Sequence, residues 1–225
     1  MSKHLTRDLE GLEQRLLLLA GEVEEAVRRS VRVLLERRSE LAEAVIDGDD
    51  AIDRHEVELE EECLKVLALH GPVAGDLRFI VACLKIENDL ERIADLAANI
   101  AERALSFHTE SELAVPPLLA EMVDTCARML RHSIEAFVRG DVALARANLV
   151  RDEAVDQANR RIIQEALAAM HANPACIQQG VELISISKNL ERIGDHATNI
   201  AEDVVYLVEG DIIRHRARGP SWSER

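Results

Sequence analysis

Hydrophobic residues recur at every third or fourth position through long parts of the chain. Three sets of them keep an alternating 3-4 spacing over several helical turns. This spacing is typical of α-helices that bury one face, and when it is sustained it indicates a coiled-coil-like seam between long helices. The three sets are Leu9, Leu12, Leu16, Leu19, Val23 and Ala26; Cys83, Ile86, Leu90, Ile93, Ala97, Ile100 and Ala104; and Leu183, Ile186, Leu190, Ile193, Ala197, Ile200, Val204 and Leu207.

Helix-breaking residues divide this pattern into about six long helices, three in each half of the chain. Glycine favours the left-handed conformation at helix ends, and proline cannot continue a helix. We also expect two short helical pieces, near residues 39–46 and 141–149. Breaks are predicted at Asp47 and Gly48, residues 71–75, Pro116 and Pro117, Gly140 and Asp141, Asn173 and Pro174, and Gly210.

The chain contains an internal repeat with a period of about 100 residues. Residues 90–102 read LERIADLAANIAE and residues 190–202 read LERIGDHATNIAE, with ten of thirteen positions identical. Upstream, the sequence DDAID that starts at Asp49 aligns with DEAVD that starts at Asp152. The repeat predicts an all-α fold of two tandem, structurally similar three-helix bundles. The predicted units are residues 1–108 and 118–210, joined by a linker at 109–117 and followed by a basic, frayed tail at 211–225.

Acidic side chains form a stripe along one face of the third predicted helix. Glu91 and Asp95 are four residues apart, which places them on the same face of a helix. That face lies nearly opposite the hydrophobic seam, so we expect the stripe on the protein surface. An antiparallel hairpin of the second and third helices, turning near residue 72, places Asp53 opposite Glu91. It likewise places Asp49 opposite Asp95.

The second half of the chain repeats this acidic arrangement. Its equivalent pairs are Asp156 with Glu191 and Asp152 with Asp195. Four ionised carboxylates in one groove repel each other strongly, unless a cation neutralises them or some of them stay protonated. Oxygen donors suit hard ions such as Mg²⁺, Mn²⁺, Ca²⁺ and iron. The sequence therefore predicts a metal site in each half, and the alternative is that these acidic faces are simply solvated.

Two further side chains next to the stripes have open roles. Arg92 and Arg192 each follow the first glutamate of a stripe. These arginines either screen the neighbouring acids or contact a carboxylate or phosphate group of a partner. His196 replaces Leu96 of the first repeat, and we expect it to be a surface histidine rather than a metal ligand.

Composition narrows the classes of function. Aromatic residues make up 2% of the chain, which argues against a sheet-rich fold, and 42 acidic against 27 basic residues give a formal charge of −15. This charge disfavours nucleic acid and anionic lipid and favours metal cations or basic protein surfaces. The sequence has no recognisable P-loop, GxGxxG motif, nucleophile elbow or Ser-His-Asp arrangement, so we expect a protein that is not an enzyme.

Two features predict a cytoplasmic location. The longest early apolar run, residues 16–20, is too short for a secretory signal or a membrane-spanning helix. The four cysteines show no CxxC spacing and each lies in an apolar stretch, so we expect them to be reduced and buried. They are Cys63, Cys83, Cys126 and Cys176.

The doubled motif L-E-R-I-(A/G)-D-x-A-x-N-I-A-E, with an acidic segment before each copy, resembles the PhoU family of phosphate-uptake regulators. The resemblance implies two similar three-helix bundles whose E(D)xxxD motifs bind metal ions or iron clusters at the bundle surfaces. The implied cofactor is iron or another oxygen-preferring cation, with Mg²⁺, Mn²⁺ or Zn²⁺ as alternatives. In the first repeat, Ala94 replaces the motif's glycine and Leu96 its histidine. The implied ligands are Asp49, Asp53, Glu91, Asp95, Asp152, Asp156, Glu191 and Asp195.

The resemblance also implies a regulatory role. Members of this family act in the bacterial cytoplasm and are commonly homodimers. They connect the ATPase subunit of a phosphate ABC transporter to a phosphate-sensing histidine kinase, and they restrain phosphate uptake and the phosphate regulon when phosphate is plentiful. Contact with the membrane is then made only through these protein partners, and no nucleic acid is involved.

Two alternative functions stay open from the sequence. A carboxylate-bridged di-metal enzyme uses Glu-x-x-His pairs that point into the bundle core, whereas the acidic residues here are predicted to point outward. The second alternative is a purely structural helical scaffold, in which the acidic stripe serves only to keep the protein soluble. Metal content separates the scaffold from a metal-binding protein, and an oxidase assay identifies the enzyme.

Overall fold

The computed structural model describes residues 3–107 and 113–210, and this part of the chain is built from α-helices without any β-strand. The all-α prediction is confirmed. The helices are α1 (Lys3–Glu36), α2 (Ser39–His70), α3 (Ala74–Phe107), α4 (Pro117–Arg139), α5 (Val142–Leu149), α6 (Asp152–Ala172) and α7 (Ile177–Glu209), with a short 3₁₀ turn at Pro174–Cys176.

Most helix ends lie where glycine and proline predicted them. Gly71, Gly140 and Gly210 end α2, α4 and α7, and each adopts the left-handed conformation, with φ of 52°, 59° and 79°. A side chain other than hydrogen is strained at such φ values, which explains why glycine ends these helices. Pro117 opens α4, where a missing backbone N–H removes no helical hydrogen bond.

The predicted break at Asp47 and Gly48 is wrong. Helix α2 continues through both residues, so the predicted short helix near residues 39–46 is the beginning of α2. One glycine inside a helix costs only ~1 kcal/mol, and Val45 and Ile52 stay buried on one face across it. The chain instead breaks just before α2, where Arg37 takes a positive φ of 55°. The predicted short helix near residues 141–149 is confirmed as α5.

Two groups of three packed segments meet along α3 and α7. Helices α1, α2 and α3 pack together, as do α4, the α5–α6 pair and α7, while α3 lies against α7 and α1 against α4. The predicted seams are buried, with Leu90, Ile93 and Leu190 at 0% exposure. Buried apolar side chains from both halves form one continuous core. Residue 108 of the predicted first unit, residues 109–112 of the predicted linker and the predicted tail at 211–225 lie outside the described residues.

Polar contacts join α3 to α7 along their shared face. At both ends of this face the acidic partner is almost completely buried, with side-chain exposures of 2% for Asp203 and 4% for Glu182. Buried charges of this kind are stable only when they are paired. The contacts are Lys85 Nζ to Asp203 Oδ1 (3.0 Å), Arg103 Nη1 to Glu182 Oε2 (3.4 Å) and, between them but nearer the Lys85 end, His196 Nδ1 donating to Asp89 Oδ1 (2.7 Å).

All four cysteines are free thiols and buried, as predicted. Burial raises the pKa of Cys63 and of Cys126 to about 12, so both remain protonated and unreactive at neutral pH. None of the helices in the described part of the chain combines the length and apolar character needed to cross a membrane.

Candidate functional site

The first acidic groove consists of Asp49 and Asp53 on α2 and of Glu91 and Asp95 on α3. The pKa of Asp49 is raised to about 6, chiefly by burial and also by the charges of Asp53, Asp95 and Asp50. Because such repulsion acts at short range, Asp49 of α2 and Asp95 of α3 lie close together across the hairpin. This is the pairing that the hairpin register predicts.

Glu91 lies at the centre of the first groove. Its pKa is raised by burial first, then by Asp95 and Asp53, and the charge of Arg92 opposes this rise. Its Oε2 atom is buried and accepts no hydrogen bond, although Arg92 Nε lies 3.4 Å away. A buried carboxylate oxygen without a hydrogen bond is energetically unfavourable, so this atom would gain from a cationic ligand.

The stripe is less exposed than the sequence predicted. The side chain of Glu91 is 23% exposed and that of Asp95 is 42% exposed, because α2 packs beside this face of α3. Arg92 is 54% exposed, and its Nη1 lies 3.4 Å from Asp95 Oδ2. These contacts are consistent with screening of the neighbouring acids, and the exposed part of the Arg92 side chain leaves contact with a partner open as well. Arg192 in the second half is exposed.

The second acidic groove consists of Asp152 and Asp156 on α6 and of Glu191 and Asp195 on α7. The pKa of Glu191 is raised by burial first, followed by the charges of Asp195, Asp156 and Asp152, and Lys188 opposes the rise. The charges of Asp195, Asp156 and Asp152 thus all act on Glu191, so these carboxylates lie near one another in the second half as well.

A glycine allows the close approach of α6 to α7 at the second groove. A Cβ atom at Gly194 would lie 3.5 Å from Asp152 Oδ1 and 3.3 Å from Val155 Cγ1, so the available space is fully used. The first repeat has Ala94 at this position, which is also buried. The substitution of alanine for glycine thus affects how closely the helices pack and leaves the carboxylates in place.

The donor atoms in both grooves are carboxylate oxygens, which match hard cations in chemistry. Within residues 3–107 and 113–210, no three His, Cys, Asp or Glu side chains are already arranged to hold a metal ion. The fit therefore rests on the oxygen-only donor set, on the raised pKa values of Asp49, Glu91 and Glu191, and on the unsatisfied Oε2 atom of Glu91.

Sequence reasoning missed two features beside the grooves. Glu87 lies one turn before Glu91 on α3 and is only 2% exposed, and its spacing of four residues was a signal that could have revealed it. His196 is less exposed than expected, because its side chain is 19% exposed and hydrogen-bonded to Asp89, and the expectation that it is not a metal ligand stays a prediction. Nothing in the local sequence indicates that long-range contact.

The chain matches the PhoU domain family twice, over residues 16–104 and 119–204. It is 36% identical over 216 residues to the phosphate-specific transport system accessory protein PhoU homolog of Pseudomonas aeruginosa, covering 96% of this chain and 89% of that protein. The homolog of the same name in Aquifex aeolicus is 36% identical over 212 residues, covering 94% of this chain and 96% of that protein.

Two crystal structures share this architecture. PhoU from Pseudomonas aeruginosa superposes with a TM-score of 0.88 at 36% identity, covering 92% of this chain and 99% of the other. The phosphate transport system regulatory protein PhoU from Streptococcus pneumoniae gives a TM-score of 0.87 at 31% identity, covering 92% and 98%. The two domain matches each contain one of the two acidic grooves.

Proposed function

Because the chain belongs to the PhoU domain family, we propose that it is a regulatory accessory protein of phosphate transport. The observation that carries this proposal is the double domain match, which covers both grooves and extends over most of the chain. The relatives in Pseudomonas aeruginosa and Aquifex aeolicus are named as accessory proteins of a phosphate-specific transport system. An accessory protein of this kind acts by binding its partners, without catalysing a reaction.

The proposed partners are the ATPase subunit of a phosphate ABC transporter and a phosphate-sensing histidine kinase, both contacted in the cytoplasm by a homodimer. The protein lowers phosphate uptake and regulon expression when phosphate is plentiful. Its formal charge of −15 supports docking to basic surfaces, because complementary charge speeds encounter and selects partners. Arg92 and Arg192 are exposed next to the grooves, where they are able to contact an acidic group of a partner.

Deleting the gene in the source bacterium tests this proposal. We expect higher phosphate uptake and constitutive expression of the phosphate regulon in phosphate-rich medium, and wild-type protein should restore repression. Complementation with the Arg92→Ala plus Arg192→Ala variant should restore it only partly. Normal uptake together with normal repression in the deletion strain would contradict the proposal, provided the genome has no second copy. Full complementation by the double variant would contradict only the docking role of the arginines.

Each groove is also proposed to bind a hard cation, iron or another oxygen-preferring ion. Asp49, Asp53, Glu91 and Asp95 would hold it in the first bundle, and their equivalents Asp152, Asp156, Glu191 and Asp195 in the second. When bound, the cation supplies positive charge that offsets the repulsion among the four carboxylates. The raised pKa values of Glu91 and Glu191 support this proposal, because a cation favours the ionised form of a carboxyl group.

The double variant Asp95→Ala plus Asp195→Ala should lose most of its bound metal and keep its helical content. Both side chains lie at the groove and outside the apolar core, so their removal leaves the buried seams intact. Elemental analysis of protein purified without chelator measures the metal, and circular dichroism measures the helices. A matched control is Glu43→Ala plus Glu61→Ala, which removes the same charge from exposed positions of α2. Equal metal loss in both variants would refute the site assignment.

A further inference from the structure

The first groove continues into a third layer of acidic side chains beyond Asp53 and Glu91. Glu87 on α3 is 2% exposed, and burial raises its pKa to about 8, with further contributions from Glu56 and Glu60 of α2. Glu56 is half-buried, and burial and the charge of Glu60 raise its pKa as well. Glu87 thus lies near enough to α2 for the charges of Glu56 and Glu60 to act on it.

Glu87 has an unsatisfied atom in this layer. Its Oε2 is buried and makes no hydrogen bond, although the side chain as a whole is more than nine-tenths buried. Leaving a buried carboxyl oxygen without a partner costs ~1–3 kcal/mol, and more when the group is charged. A cation bound at this oxygen would remove that cost.

The second bundle shows what the same two positions do when no charge is present. By the internal repeat, Glu56 corresponds to Asn159 and Glu87 to Ser187. Ser187 Oγ donates a hydrogen bond of 2.8 Å to Asn159 Oδ1, and both residues are buried. The equivalent positions of α6 and α7 therefore touch directly, and together they form a neutral, fully paired contact.

We propose that Glu56 and Glu87 form a binding site for a divalent cation in the first bundle, for which the second bundle has no counterpart. The cation is hard and oxygen-preferring, such as Mn²⁺ or Mg²⁺. Ions of this kind bind through one or two carboxylates and keep several water molecules, so two glutamates suffice. Half-exposed Glu56 provides the route from solvent, and Glu60 adds negative charge nearby. The site adjoins the four-carboxylate site of the first bundle, since the charge of Asp53 acts on Glu56 and that of Glu56 acts on Glu91, but its ligands are different residues.

The test replaces Glu56 and Glu87 by the residues that stand at the equivalent positions of the second bundle. The variant Glu56→Asn plus Glu87→Ser installs that neutral contact in the first bundle, and Glu87→Gln alone is a conservative second variant should the pair fail to fold. Chelator-treated full-length protein is dialysed against Mn²⁺ at pH 8, and bound Mn²⁺ per chain is counted. We expect both variants to bind one Mn²⁺ fewer than the wild type. The charge-matched control Glu43→Gln plus Glu61→Gln should bind as the wild type does.

The four-carboxylate sites are separated from this one by combining variants. With Asp95→Ala plus Asp195→Ala, one Mn²⁺ per chain should remain, and adding Glu56→Asn plus Glu87→Ser should remove it. Unchanged stoichiometry in the Glu56/Glu87 variants, or an equal loss in the charge-matched control, would overturn the proposal. If the Asp95→Ala plus Asp195→Ala variant binds as much Mn²⁺ as the wild type, the proposed four-carboxylate sites are refuted. The proposed Glu56–Glu87 site is then judged only from the Glu56 and Glu87 variants.

Discussion

Replacing Leu90 or Leu190 by alanine is expected to lower the free energy of unfolding by ~2–5 kcal/mol, the range for a buried large-to-small substitution. Both side chains are completely buried, at equivalent places in the seams of α3 and α7. Each substitution leaves a cavity where three segments of its bundle meet, and the long helices have little freedom to close it. Urea unfolding followed by circular dichroism, with chelator present, measures the loss.

The control for this experiment is Leu69→Ala, which makes the same chemical change at a site that is 68% exposed on α2. Its effect should stay within ~0.5 kcal/mol, as is usual for surface positions. Losses below ~0.5 kcal/mol at both Leu90 and Leu190 would show that the seam is not the core of the fold.

Glu87→Gln should stabilise the metal-free protein at high pH and have little effect at low pH. The pKa of Glu87 is raised from the ordinary range of a glutamate to about 8 by burial and by Glu56 and Glu60. The folded state therefore holds a proton that the unfolded chain has already released, so wild-type stability falls as pH rises from about 4 to about 8. Glutamine carries no charge, and the variant escapes this loss. At pH 9 the gain should be on the order of a few kcal/mol.

Unfolding in urea at pH 5, 7 and 9, with chelator present, measures this dependence. Glu43→Gln serves as the control, because it removes the same group from an exposed position on α2 and should leave the pH profile of stability unchanged. A difference between Glu87→Gln and the wild type that is constant from pH 5 to pH 9 would show that Glu87 is already ionised at pH 5 in the folded protein, as it is in the unfolded chain, and that its pKa is not raised.

Periodicity and the repeat predicted the helices and the register because both depend on local geometry. A spacing of three and four residues fixes which face of α3 is buried, and the hairpin length fixes that Asp49 meets Asp95. Helix ends at Gly71 and Gly140 followed from backbone conformation that few other residues adopt. A structural feature could thus be predicted from the sequence where one local constraint, such as helical periodicity or a positive φ, determines it.

The errors arose where packing outweighed local preference. Helix α2 runs through Gly48 because its buried face continues on either side, and the true break at Arg37 has neither glycine nor proline to mark it. The burial of His196 and Asp89 depends on contact between α3 and α7, which are more than 100 positions apart in the chain. The burial of Glu87 likewise depends on how the helices pack in the folded protein.

The hydrogen bond between His196 and Asp89 connects α3 and α7, the helices that each carry part of one acidic groove. Asp89 precedes Glu91 by two residues on α3, and His196 directly follows Asp195 on α7. If cation binding in the first groove shifted α3 toward α2, Asp89 would move and the strain would reach α7 through His196. The affinities of the two proposed grooves would then be linked. Such linkage is reciprocal, so occupancy of the second groove would change the affinity of the first by the same factor.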